Sequence, residues 1–307
     1  MGPLAGKAIV ITGAGRGIGA ACARTCAALG AAVVVNDADA ASAHARAAEI
    51  AAAGGRALPF PADVTDWDGA GRLVDACVDA FGAIDGLVNN AGLFALGRLD
   101  EAQPGVLERL LAVNVVGTFN CAAHAVKPML AQGTGSIVNI TSGAHMGIPA
   151  MSAYAASKGA VTSLMFTWAI ELAGSGVRAN CVSPLAATPM FDQLDAYHGT
   201  KREEAGRPMT VPPEANAGAI AFLLSDAAAG VNGQTLRVEG DLLSLMAHPG
   251  VLLPLRQRAA GWDYEAIRDI FAEEFAARQQ PLGVMGVEIA AHRPASAFWA
   301  QERGDTA

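Results

Sequence analysis

Charge is scarce in this chain. Only 16% of its 307 residues are charged against 52% hydrophobic, and acidic residues outnumber basic ones 29 to 21, for a formal charge of -8. A general binder of phosphate backbones needs a concentrated basic surface, and no Lys/Arg-rich block supplies one. Cysteine is sparse as well. The five thiols, Cys22, Cys26, Cys77, Cys121 and Cys181, are an odd number in a long chain, so a disulfide framework is not expected. Six dispersed histidines complete no metal site. Apolar runs such as residues 31–35 are too short to span a bilayer, and M-G-P-L-A-G-K leads into A-I-V-I-T-G without a charged leader. The expectation is a cytoplasmic protein with no nucleic-acid partner, no metal and no membrane insertion. So little solvated surface also points to subunit burial, although abundant Ala and Gly inflate the hydrophobic count.

What is present alternates. Apolar strands are expected at residues 8–12, 32–36, 57–61, 85–88, 136–140, 177–182 and 235–238. Helices fall between them at residues 18–29, 40–53, 66–81, 104–130, 151–173 and 213–224, with Asp66 as a cap. That alternation predicts a mostly parallel sheet covered on both faces. Two stretches break the rhythm. Residues 184–212 are long for a connection and read as a substrate lid or an ordinary surface insertion. The tail, residues 246–307 with a helix near 264–278, reads as an arm over the active site or a subunit interface, or as a purely structural extension.

The first βα turn is T-G-A-G-R-G-I-G, a variant of the dinucleotide fingerprint. Gly13, Gly17 and Gly19 permit a tight turn and close approach to a pyrophosphate at the helix N-terminus, with Arg16 and Ile18 beside them. Asp37, beyond the second strand, suits ribose hydroxyls and repels a 2'-phosphate, which favours NAD over NADP despite Arg16. Asp39 reads as a helix cap. Asp63 with Val64 follows the third strand on the adenine side. After the fourth, Asn89, Asn90, Ala91 and Gly92 either line the groove or simply fix a tight turn.

Tyr154 and Lys158 are i,i+4 neighbours on the predicted sixth helix, so a phenol and an ammonium face one centre. Ser142, at the end of the fifth strand, is placed to hold a substrate oxygen. Tyr is a poor base with its ordinary pKa of about 10, and a drop of about 3 units, or ~4 kcal/mol, is within reach of one nearby ammonium. Lys158 is expected to supply most of that shift and to bind nicotinamide-ribose hydroxyls, while Asn114 positions a relay water or marks a kink. His145 is expected near the substrate. Leu185 and Met190, with Met146, Ile148, Met151, Phe191, Leu194 and Tyr197, form a candidate apolar wall suited to a hydrophobic alcohol.

Taken in order, residues 12–19, Asp37, Asp63, residues 89–92, Asn114, Ser142, Tyr154 and Lys158 resemble the classical short-chain dehydrogenase/reductase family over residues 4–245. The resemblance implies a Rossmann-like, doubly wound, predominantly parallel seven-stranded sheet with helices on both faces. It also implies a homotetramer or homodimer and reversible oxidation of a small-molecule alcohol to its ketone with NAD. It assigns Asn114, Ser142, Tyr154 and Lys158 as the catalytic tetrad and Thr188 to the nicotinamide carboxamide. Pro184-Leu185 departs from the family's usual Pro-Gly. The rival enzymatic reading is a 3-hydroxyacyl thioester dehydrogenase; a noncatalytic dinucleotide sensor is the rival of another class.

Overall fold

The computed structural model describes residues 2–186, 211–252, 254–259 and 261–278. Contacts divide the chain into two units, Met1–Met246 and Ala247–Ala307. In the first, eight strands lie in the order β3-β2-β1-β4-β5-β6-β7-β8. They are β1 (Ala8–Ile11), β2 (Ala32–Asp37), β3 (Arg56–Pro61), β4 (Gly86–Asn89), β5 (Gly135–Ile140), β6 (Val177–Leu185), β7 (Thr235–Glu239) and β8 (Leu242–Leu245). β1 to β7 run parallel, and the order reverses between β1 and β4, which opens a crevice at the carboxyl ends of those strands.

β1 and β4 are buried at every position because both faces of the sheet are covered, and the Val/Ile runs follow from that. On one face Ile9, Ile11, Val33, Val35, Val138 and Val182 meet α1 (Gly17–Ala28) and α7 (Ala217–Leu224). On the other, Val10, Val34, Leu87 and Ile137 meet α3 (Trp67–Phe81), α5 (Gly117–Gln132) and α6 (Ser152–Glu171). α2 (Ala40–Ala52) begins at Asp39, whose carboxylate accepts the Ala41 N–H. Asp66 caps α3 in the same way, through Asp68 N–H.

The sheet has one strand more than expected. β8 is antiparallel to β7 and follows a two-residue turn at Gly240 and Asp241, where Gly240 has φ +66°. Leu-Leu-Ser-Leu lacks the apolar/polar alternation that marks a half-buried strand, so hairpin pairing, not periodicity, makes it a strand. The helical stretch expected at residues 104–130 is also more broken than its pattern suggests. α4 (Val106–Leu111) passes through a π-helical turn, Ala112–Val116, into α5. Together Val106–Gln132 is long and apolar enough to cross a membrane, which the sequence pattern did not show. Leu110, Asn114, Cys121, Ala125 and Met129 are nevertheless buried in this unit.

All five cysteines are buried and free, with Cys22 and Cys26 Sγ atoms 3.8 Å apart on α1. In the second unit, α8 (Tyr264–Glu273) is capped by Asp263, which accepts the Ala266 N–H at 2.9 Å. Arg256 grips Glu274 through two hydrogen bonds of 2.7 Å.

Candidate active site

The crevice begins where β1 ends. Gly13 and Gly17 take φ of +60° and +56°, a left-handed backbone that disfavours any residue with a Cβ. A Cβ on Gly19 would lie 2.3 Å from the Gly13 carbonyl, so only glycine lets α1 start this close to the turn. Arg16 is the extended N-cap of α1 and makes no side-chain cap bond, and the first turn holds no acidic residue. The leading N–H groups, with Ile18 among them, thus have no carboxylate or hydroxyl cap, and an anion suits that position.

The second wall is the turn after β4. Thr12 Oγ1 accepts the N–H groups of Asn90 and Ala91 at 3.0 Å, while Asn90 Nδ2 donates to the Thr12 and Gly13 carbonyls at 2.9 Å. Asn90 therefore holds the two turns together. Asn89 points into the sheet, where Nδ2 donates to Asn139 Oδ1 at 2.9 Å. At the end of β2, Asp37 Oδ2 accepts the Gly15 N–H at 3.0 Å and Oδ1 the Asp39 N–H at 3.1 Å. Asp63 is exposed with Oδ1 on the Thr65 N–H, and Val64 is buried against Gly117.

At the chemical end, Ser142 leaves β5 close enough to Tyr154 to lower the phenol's pKa. Ser142 Oγ accepts the Ala144 N–H at 3.2 Å. Tyr154 is only 8% exposed, in an apolar cluster with Phe94, Leu96, Val106, Leu110, Ala144, Ile148 and Met151. The Phe94 ring meets it edge-on, 4.9 Å between centroids. One turn along α6, Lys158 is 4% exposed, with Nζ 5.8 Å from the centre of the Tyr154 ring. His145 Nδ1 donates to the Ser142 carbonyl at 2.5 Å. Leu185 ends β6, its carbonyl accepting Asn216 Nδ2 at 3.1 Å. Thr188, Met190, Phe191, Leu194 and Tyr197 lie outside the described residues, and so does most of the expected lid.

Burial dominates the electrostatics of Tyr154 and Lys158. Burial pushes the phenol up to about 12, and the nearby Ser142 side chain opposes that shift. The ammonium is itself turned away, donating to the Ile140 carbonyl at 2.7 Å, and burial brings its pKa down to about 8. The Asn114 amide is held at both of its polar atoms. Oδ1 accepts the Leu93 N–H at 2.7 Å, while Nδ2 donates to the Leu93 carbonyl at 3.0 Å and to Ser157 Oγ at 2.9 Å.

Asn114 is thus a clamp that fixes the segment after β4 to α6, and the π-turn aims it there. Ser157 belongs to the same clamp, since its Oγ donates to the Tyr154 carbonyl at 2.7 Å. Sequence reasoning missed Ser157 and Phe94. The first was visible as a hydroxyl three residues after Tyr154; the second had no signal beyond following N-N-A-G. Asn114→Leu is expected to strand the part-buried Leu93 N–H and carbonyl and to take one of its two partners from Ser157 Oγ, at ~1–3 kcal/mol for each polar group left unpaired. Urea unfolding should show a loss of at least about 2 kcal/mol, and an unchanged midpoint would refute the clamp.

These residues fit a nicotinamide dinucleotide. The uncapped start of α1 suits the pyrophosphate, and Asp37 suits ribose hydroxyls. A Cβ on Gly92 would stand 3.3 Å from Asn114 Oδ1 and 3.5 Å from Lys158 Nζ, so glycine keeps open the space beside the ammonium. A doubly wound sheet with this crevice, a half-buried Ser142 and a buried Tyr154 and Lys158 defines an oxidoreductase acting on CH-OH groups. The chain belongs to the classical short-chain dehydrogenase/reductase family: residues 7–198 match its short chain dehydrogenase profile.

Among its relatives, 2-(S)-hydroxypropyl-CoM dehydrogenase 3 of Xanthobacter autotrophicus is 38% identical over 79% of this chain and 98% of its own. Cis-4-hydroxycyclohexanecarboxylate dehydrogenase of Sinomonas cyclohexanicum is 42% identical over 76% and 95%. A gluconate 5-dehydrogenase from Burkholderia cenocepacia, solved with NADP and tartrate, superposes with a TM-score of 0.70 at 35% identity, covering 77% of this chain and 94% of that one.

Proposed function

We propose that this protein is an NAD-dependent dehydrogenase interconverting a hydrophobic secondary alcohol and its ketone, with Tyr154 as general acid/base. The observation that carries this reading is the burial of Tyr154, beside Ser142 and one turn from Lys158, within a cluster of apolar side chains. The crevice would hold a nicotinamide dinucleotide, which would supply the hydride chemistry. Everything else falls to the chain. Ser142 orients the substrate oxygen, Tyr154 takes the hydroxyl proton in oxidation and gives it back in reduction, and Asn114 with Ser157 keeps α6 in register with the wall opposite. Lys158 would hold the nicotinamide ribose. The apolar cluster excludes water and favours a hydrophobic group beside the carbinol. The relatives named for a hydroxypropyl thioether and a hydroxycyclohexane carry secondary alcohols in their substrates' names, which agrees with this reaction type.

Asp37 supports NAD as the cofactor, because a fixed carboxylate at the end of β2 repels a 2'-phosphate. Asp37→Ala is expected to narrow the NAD/NADP ratio of catalytic efficiencies by about tenfold or more, on the scale of one lost charged hydrogen bond. An unchanged ratio refutes the assignment. Self-association as a homodimer or homotetramer is part of the same reading. Its support is an exposed apolar set on α5, its preceding turn and α6: Phe119 and Val116, nearly half exposed, and Ile170, 77% exposed.

A further inference from the structure

We propose that Gly15 is a positioning residue for the Asp37 carboxylate, and that its lack of a side chain sets the preference for NAD over NADP. The inference rests on the reading that Asp37 faces the adenosine ribose. Gly15 lies between the glycines of the turn but differs from two of them in kind. Gly13 and Gly17 have positive φ, and Gly15 does not, so its backbone conformation is open to any residue. What it lacks is room. A Cβ there would lie 2.8 Å from Asp37 Oδ2 and 2.5 Å from Ser42 Cβ.

Neither neighbour yields easily. Asp37 is short, and its two oxygens already accept Gly15 N–H at 3.0 Å and Asp39 N–H at 3.1 Å. Ser42 is on the first turn of α2, its hydroxyl donating to Asp39 Oδ2 at 2.5 Å. On the other side of the same peptide, Arg46 Nη2 reaches the Gly15 carbonyl at 3.4 Å, and Arg46 is ion-paired with Glu49. The Gly15 peptide is therefore held at both ends, by the carboxylate on its N–H and a guanidinium on its carbonyl. Any side chain at this position displaces either the carboxylate or the start of α2. In both cases Asp37 leaves the place where it meets ribose hydroxyls and excludes a 2'-phosphate.

The test is equilibrium binding of NADH and NADPH to the purified full-length protein, followed by nicotinamide fluorescence, with no turnover involved. The variants are Gly15→Ala, Asp37→Ala, the two combined, and Gly15→Ala with Ser42→Gly. The last removes the closer collision and keeps the one with Asp37, so it serves if Gly15→Ala does not fold. The expected result is that Gly15→Ala narrows the NADPH/NADH ratio of Kd values by roughly tenfold and adds less than about twofold on top of Asp37→Ala. A wild-type ratio in folded Gly15→Ala, beside a narrowed one in Asp37→Ala, overturns this inference alone. So does a pair of effects that multiply. An unchanged ratio in Asp37→Ala overturns the NAD reading and this inference with it.

Discussion

Tyr154→Phe lowers kcat/KM for alcohol oxidation by about 10²–10⁴-fold, the usual contribution of a positioned acid/base, and leaves NADH affinity within about twofold. The substitution removes only an oxygen. The ring keeps its place in the apolar cluster and its edge-on contact with Phe94, so the thermal midpoint should barely move. The same residue governs the pH profile. With the phenol raised by burial to about 12, its base form is scarce at neutral pH. Oxidation therefore climbs with pH, by up to about tenfold per unit below the operative pKa, while reduction, which uses the phenol as acid, does not climb. A flat oxidation profile, or a Phe variant with near-normal turnover at unchanged substrate affinity, contradicts the assignment.

Lys158→Met gives a different signature. It should lower kcat/KM by a similar ~10²–10⁴-fold and also weaken NADH binding by roughly tenfold or more, the worth of a charged hydrogen bond to the ribose. Stability should hold. Burial lowers the Lys158 pKa from 10.5 to about 8, so the folded protein carries a penalty of about 3 kcal/mol on the ammonium below that lower value. That penalty is relieved as pH rises from the folded pKa toward the unfolded one. Met removes it at pH 7 and leaves the Ile140 carbonyl without its donor, at ~1–3 kcal/mol, so the two terms nearly offset. A large fall in the unfolding midpoint at pH 7 would mean that Lys158 is chiefly structural. Unchanged NADH affinity would remove its ribose role.

The two signatures separate what the sequence showed from what it did not. Tyr154, Lys158, Ser142 and Asn114 were legible because their spacing repeats a family pattern, and the strands were legible as short apolar runs between helical ones. The sense of the electrostatics was not. Spacing placed a cation one turn from a phenol, but whether it lowers that phenol's pKa depends on burial and on where the ammonium points. Both depend on tertiary packing: Tyr154 lies beneath Phe94 and Leu96, and Lys158 turns to a carbonyl on β5.

Asn114 was recognised by position, yet its partners, Leu93 and Ser157, lie 21 and 43 residues away. No local pattern encodes such pairings. β8 escaped for a similar reason, since a four-residue edge strand owes its conformation to the hairpin that delivers it. Gly15 was hidden among glycines whose roles were backbone freedom, whereas its own role is the absence of a Cβ beside Asp37.

The central claim is tested most directly by mixing purified protein with NAD and a graded series of hydrophobic secondary alcohols, with 3-hydroxyacyl thioesters alongside, and following NADH absorbance for wild type and Tyr154→Phe. The account predicts NADH formation by the wild type with at least one free secondary alcohol, rising as its apolar group grows, and its near-complete loss in the Phe variant. Thioester-only activity would contradict the substrate class. Tight NAD binding with no NADH from any alcohol or thioester would contradict the claim that this chain is a dehydrogenase.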